Sequence, residues 1–164
     1  MVWAGIDKVN VLEAHECSPK PADRGIDSTG QRRYTTRMKK IIVKPAAGAA
    51  AIGPYSQGVR AGDFLFCAGQ IPVDPASGQI AGQDARAQTE RVLENIKIIL
   101  QDQNLDFGHV VKTTVFLTDL ADFAAMNEVY GRYFTADFPA RSTVQVAALP
   151  RGAKVEIEVV AHYG

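Results

Sequence analysis

The chain has 164 residues, enough for one domain with a substantial core. Its 18 Lys+Arg balance 18 Asp+Glu, and a formally neutral chain gives no electrostatic reason to expect nucleic acid or an anionic membrane as partner. No stretch approaches the roughly 18 consecutive apolar residues of a spanning helix. The two cysteines (Cys17 and Cys67) suggest no disulfide framework, so a reducing, cytoplasmic setting is expected, and the three scattered histidines have no metal-ligand spacing.

Residues 1–37 include "HECSPKPADRGIDSTGQRRYTTR", which is polar, turn-rich and without periodicity. Acidic residues among its arginines argue against a mitochondrial leader, and no apolar signal region is present. This segment is predicted to be a disordered or non-native extension, with the domain running from 38 to 164. "KKIIVKP" reads as a short strand stopped by Pro45. "AAGAAAIGPYSQGVRAGDFLFCAGQ" reads as a hairpin turning at Ala61-Gly62-Asp63, with "FLFCA" as its buried second strand. "VDPASGQ" is turn chemistry. In "DARAQTERVLENIKIILQDQN", Ala85, Val92, Leu93, Ile96, Ile99 and Leu100 recur at helical spacing. "HVVKTTVFLTD" alternates, with Val111, Thr113, Val115 and Leu117 on one face. A second helix is predicted in "DLADFAAMNEVYGRYF", with Asp119 as its N-cap. After Pro139 come two strands, "STVQVAAL" and "KVEIEVVAHY".

This order predicts an α+β fold with a mixed six-stranded sheet and two helices on one face. Two helices cannot cover both faces of such a sheet. On the last strand Val155, Ile157 and Val159 face one way and Glu156, Glu158 and Val160 the other. The semi-apolar face left over predicts self-association.

Phosphate loops, nucleophile elbows, Cys/His pairs and metal sets are absent from the sequence. A few polar residues remain as candidates, each with two readings. Arg141 offers a planar fork that matches a carboxylate, or it is a solvated strand-start residue. Glu156 is either a half-buried proton acceptor or one of a row of solvated carboxylates. Tyr55, after Gly53-Pro54, could cap a ligand or be an edge aromatic. Asn127 could shape a cleft or point to water, and Cys67 reads as a small buried hydrophobe.

"IGPYSQG", "AGQIPVDPASGQI", "VVKTTVFLTDLADFAAMNEVYGRYF", "FPARS" and "LPRGAKVEIEVVA" occur in order, and together they resemble the Rid (reactive intermediate deaminase, YjgF-type) family, closest to its RidA type. The resemblance runs from Met38 to Gly164. It implies a chorismate-mutase-like fold and a homotrimer with a barrel-like core and clefts between neighbours. It also implies hydrolysis of 2-imino acids or their enamine tautomers, such as 2-iminobutanoate and 2-iminopropanoate, to 2-keto acids and ammonia. That activity protects pyridoxal-phosphate enzymes and uses no cofactor or metal. On this resemblance Arg141 holds the substrate carboxylate and Glu156 orients or activates water. Tyr55, Asn127, Gly69 and Thr143 line the substrate site. The chain departs from the RidA pattern at Thr143, where many members have Cys, and at Ala68, where many have Ser. Those departures bear on substrate preference and rate. The alternatives are an RNA-acting protein (endoribonuclease or translation inhibitor) and a non-catalytic metabolite-binding or chaperone-like trimer.

Overall fold

The computed structural model describes residues 39–164, and the expectations for residues 1–37 and for a domain start at Met38 lie outside the described residues. Six strands and two helices follow in chain order: β1 (Lys40–Val43), β2 (Gly58–Ala61), β3 (Phe64–Gln70), α1 (Ala85–Asp102), β4 (Val110–Leu117), α2 (Phe123–Tyr133), β5 (Ala140–Gln145) and β6 (Val155–His162). All six strands form one mixed sheet in the order β1-β2-β3-β6-β4-β5. Only β4 and β5 pair in parallel. Among the described residues no helix is long and apolar enough to cross a membrane.

The chain's handedness explains why one face is bare. β3-α1-β4 crosses over β6, and β4-α2-β5 steps on in the same direction. Two right-handed crossovers that advance the same way place both helices on the same face. That face holds the core. Val92, Leu93, Ile96 and Leu100 of α1 are fully buried, as are Leu65, Val115, Leu117, Val155 and Ile157 of the sheet. Burial of each such side chain contributes about 1.5–3 kcal/mol. Met126 and Val129 of α2 complete the layer.

The opposite face can be read from the strand register. Ile42, Val59, Phe66, Val160 and Lys112 form one continuous row across five strands. Phe64 and His162 lie beside it, in edge contact at 5.0 Å. Phe66 is 47% exposed and Phe64 is 41% exposed. The same face turns polar towards β5, with Glu158, Thr114 and Ser142 in one row and Lys112 Nζ donating to Ser142 Oγ at 2.8 Å.

Local capping departs from the sequence reading at α2. Asp119 accepts from Ala121 N–H and starts a short 3-10 turn at Leu120–Asp122. That turn runs straight into α2, which begins at Phe123 without a side-chain cap. α1 has a true cap: Asp84 accepts from Ala87 N–H at 2.9 Å. In β4 the residue that points inward at the strand's start is Val110, and Val111 is exposed, because the register with β6 shifts between Val110 and Lys112. β5 begins at Ala140 and ends at Gln145, so Arg141 lies inside the strand and the "VAAL" segment lies beyond it.

The polar side chains buried on α1 hold loops. Asn95 Nδ2 donates to the carbonyls of Ile71 (3.2 Å) and Val73 (2.8 Å). Gln88 donates to Gly82 O and accepts from Lys154 N–H. These bonds fix the loop after β3 and the approach to β6, which form two walls of the cleft described next.

Candidate functional site

Arg141 and Glu156 emerge on opposite faces of the sheet. Arg141 pairs with Thr113, whose side chain is fully buried on the helix side. Glu156 pairs with Phe116, on the bare side. Each has its own cleft, and the sheet separates them.

The Arg141 cleft has a volume of about 380 Å³ and is lined by Asn127, Tyr130, Gly131, Phe138, Pro139 and Arg141. The Arg141 guanidinium lies 4.6 Å from the centroid of the Tyr130 ring and 5.7 Å from that of Phe123. An aromatic face holds a guanidinium flat and leaves its edge donors free. No carboxylate among the described residues pairs with it. The ring beneath is fixed in turn, since Tyr130 Oη and Thr113 Oγ1 are 2.9 Å apart in a buried hydrogen bond. Burial raises the Tyr130 phenol pKa, so the ring stays neutral under the cation. Asn127 is placed here by its position one turn before Tyr130 on α2. Thr143 follows Arg141 on the same face of β5, opposite Val115, and its buried Oγ1 has no hydrogen-bond partner among the described residues.

The Glu156 cleft has a volume of about 350 Å³ and brings together Tyr55, Ala68, Gly69 and Glu156, walled by Ile52, Ile71, Pro150 and Arg151. A Cβ on Gly69 would overlap the Glu156 carboxylate where it now lies, so the bare glycine is what leaves room for the carboxylate in this position. The sequence reading gave Gly69 a close approach to ligand, and in this chain the close approach is to Glu156 itself. Burial, followed by the like charge of Glu158, raises the Glu156 carboxyl pKa. Tyr55 stands half-exposed at the rim, its hydroxyl accepting from Ile52 N–H at 3.4 Å. A carboxylate whose pKa burial raises is suited to accept a proton, and the fork opposite is suited to hold an anion.

Of the six residues singled out from the sequence, Tyr55, Gly69 and Glu156 therefore share one cleft. Arg141 and Asn127 share the other, with Thr143 beside them. Arg151 was not singled out. Its backbone lies in the left-handed region (φ 59°), and its side chain donates to Gly78 O at 2.7 Å, which pins the wall beside Glu156. The run "LPRG" before the last strand was its only mark in the sequence. The stacking partner Tyr130 was visible only as a helix-face aromatic. Among the described residues no group of three or more His, Cys, Asp or Glu is placed to hold a metal ion. Cys67 is buried, with its thiol pKa pushed up to about 12.

A family profile described as Endoribonuclease L-PSP matches residues 46–163. The Myxococcus xanthus protein named DfrA is 56% identical over 127 residues, covering 76% of this chain and 97% of its own. A 2-iminobutanoate/2-iminopropanoate deaminase from Salmonella typhimurium is 52% identical over 127 residues, covering 76% of this chain and 98% of its own. Among solved structures, Escherichia coli TdcF with bound serine superposes with a TM-score of 0.72 at 46% identity, covering 76% of this chain and 99% of that one.

Proposed function

This chain belongs to the L-PSP family, also called the YjgF or Rid family, and from that premise we propose that it hydrolyses reactive 2-imino acids and their enamine tautomers to 2-keto acids and ammonia. The observation that carries the reading is the Arg141 guanidinium, which lies 4.6 Å over the Tyr130 ring without a carboxylate partner among the described residues, at the wall of an open cleft. A 2-imino acid presents a carboxylate beside its C=N carbon, and the fork can take that carboxylate through two parallel bonds.

The chemistry asks for little else. A protonated imine carbon is already electrophilic. Water adds to it, the new C–O bond forms, and Glu156 takes a proton from the water. Glu156 returns that proton to the nitrogen and takes up the hydroxyl proton as the C–N bond breaks, so ammonia leaves and the keto group forms. Holding the carboxylate and the water in line supplies much of the acceleration, roughly 7 kcal/mol or more in favourable cases. A general base adds about 10²–10⁴-fold.

Because the sheet separates Arg141 from Glu156 within one chain, a shared substrate needs two copies, with the β5 edge and Arg141 of one laid against the bare face and Glu156 of its neighbour. The reading therefore includes a homotrimer with the bare faces turned inward as a barrel-like core, as in the chorismate-mutase-like arrangement. The exposed row of Ile42, Phe66 and their neighbours supports such packing. The family's description also names an RNA-cleaving activity, against which the neutral charge weighs. In the deciding assay, 2-iminobutanoate is generated in situ and its decay is followed. Accelerated decay to the 2-keto acid is expected. Unchanged decay, or salt-sensitive binding and cleavage of RNA by the same preparation, would contradict the reading.

A further inference from the structure

Behind the Glu156 cleft lies a second, much smaller space. It shares Ile52, Tyr55, Gly69 and Ile71 with the cleft and adds Ala49, Ala50, Gln57, Gln70 and Val73. It leaves about 20 Å³ to the centre of a water molecule, room for about one.

Gln57 is the unusual part of its wall. The residue is only 5% exposed. Its Nε2 donates to Ala49 O, which fixes which end of the amide is oxygen. Its Oε1 is buried with no hydrogen-bond partner among the described residues. A buried acceptor without a donor bears its full desolvation penalty, so its place beside a water-sized space calls for a donor. Gln70 is arranged in a similar way, its Nε2 committed to Ala68 O at 3.0 Å. The Tyr55 hydroxyl, which accepts from Ile52 N–H, keeps its own proton to donate. Two side-chain carbonyls and one hydroxyl match the two to four polar partners of an ordered buried water.

The space also backs onto Gly69, whose missing side chain makes room for the Glu156 carboxylate. We propose that Gln57 holds a water molecule in this chamber and that this water is the one presented to Glu156 for attack on the imine, which makes Gln57 a positioning residue for the reaction. The proposal rests on the deaminase reading above. The chamber water gives its oxygen to the imine carbon and a proton to Glu156, Glu156 returns that proton to the nitrogen, which leaves as ammonia when the C–N bond breaks, and bulk water refills the chamber through the cleft.

Gln57→Met fills a similar volume and can neither accept nor donate as the amide does. Gln57→Glu keeps an oxygen facing the chamber and gives up the bond to Ala49. The expected result is a fall in kcat on the order of a hundredfold for Gln57→Met with KM within about twofold of wild type, and partial recovery of kcat in Gln57→Glu. A crystal structure of the wild type should show an ordered water bonded to Gln57 Oε1, and that of Gln57→Met should lack it. Wild-type kcat in Gln57→Met overturns this proposal and leaves the deaminase reading standing. Failure of the wild type itself to hydrolyse the imine overturns both. Absence of the water from the wild-type crystal overturns the chamber whatever the kinetics. If Gln57→Met does not fold, that crystallographic observation and Gln57→Glu still decide.

Discussion

Gly69 and Glu156 act as one unit. A methyl group on Gly69 would take the space of the Glu156 carboxylate, so Gly69→Ala should lower turnover on the order of a hundredfold through a displaced base. Carboxylate binding at Arg141, across the sheet, should be untouched. Measured product-analogue affinity that falls together with turnover would contradict this. Glu156 also makes a stability prediction with a definite sign. Its folded pKa is raised, mainly by burial, so the folded state binds that proton more tightly than the unfolded chain does. The associated stability is present at pH below the unfolded carboxyl value and is lost as pH rises through the raised folded value. Glu156→Gln should therefore melt higher than wild type at neutral pH and equal to it in acid, while turnover is lost. A mutant that melts lower than wild type at neutral pH would show that the charged carboxylate is held by partners. At this scale the sequence could rank candidates but could not divide them. The alternation of β6 sets the face of Glu156, whereas the face of Arg141 depends on the register of β5 with β4, which no local pattern encodes.

The helices were legible because an 18-residue amphipathic period leaves little choice, and α1 occupies Ala85–Asp102 with its apolar residues buried as spaced. The hairpin turn was legible from Gly62, which has a φ of 60°. Strand edges were less so. A single register shift near Val110 exchanges which of two adjacent valines is buried, and both choices read equally well as alternation. Buried polar residues on α1 were not legible at all. Asn95 looks like any surface amide in the sequence, and only the fold shows it holding the carbonyls of Ile71 and Val73. Asn95→Leu leaves both acceptors unpaired and should cost about 1–3 kcal/mol in urea unfolding. It should also raise KM by loosening the wall at Ile71. A change below a few tenths of a kcal/mol would mean that the loop is held by other contacts.

At the scale of the whole molecule, two crossovers of one hand leave half the sheet bare, and the bare half carries an aromatic and aliphatic row beside a polar one. The count of helices against strands made that face foreseeable, and the order β1-β2-β3-β6-β4-β5 is what gives it a continuous row. Phe66→Asp puts a charge in the centre of that row and should convert the assembled protein to monomers by light scattering, with loss of turnover. Retained assembly would mean that a different surface joins the copies. In the function proposed, one substrate is held by Arg141 of one chain and attacked with the help of Glu156 of another. Subunits carrying Arg141→Ala and subunits carrying Glu156→Gln, each inactive alone, can be unfolded, mixed in equal amounts and refolded together. In a closed ring, random mixing leaves about a quarter of the sites with both residues intact, so about a quarter of wild-type imine hydrolysis is expected. A mixture as inactive as its parents would place both residues' work within one chain and contradict the account.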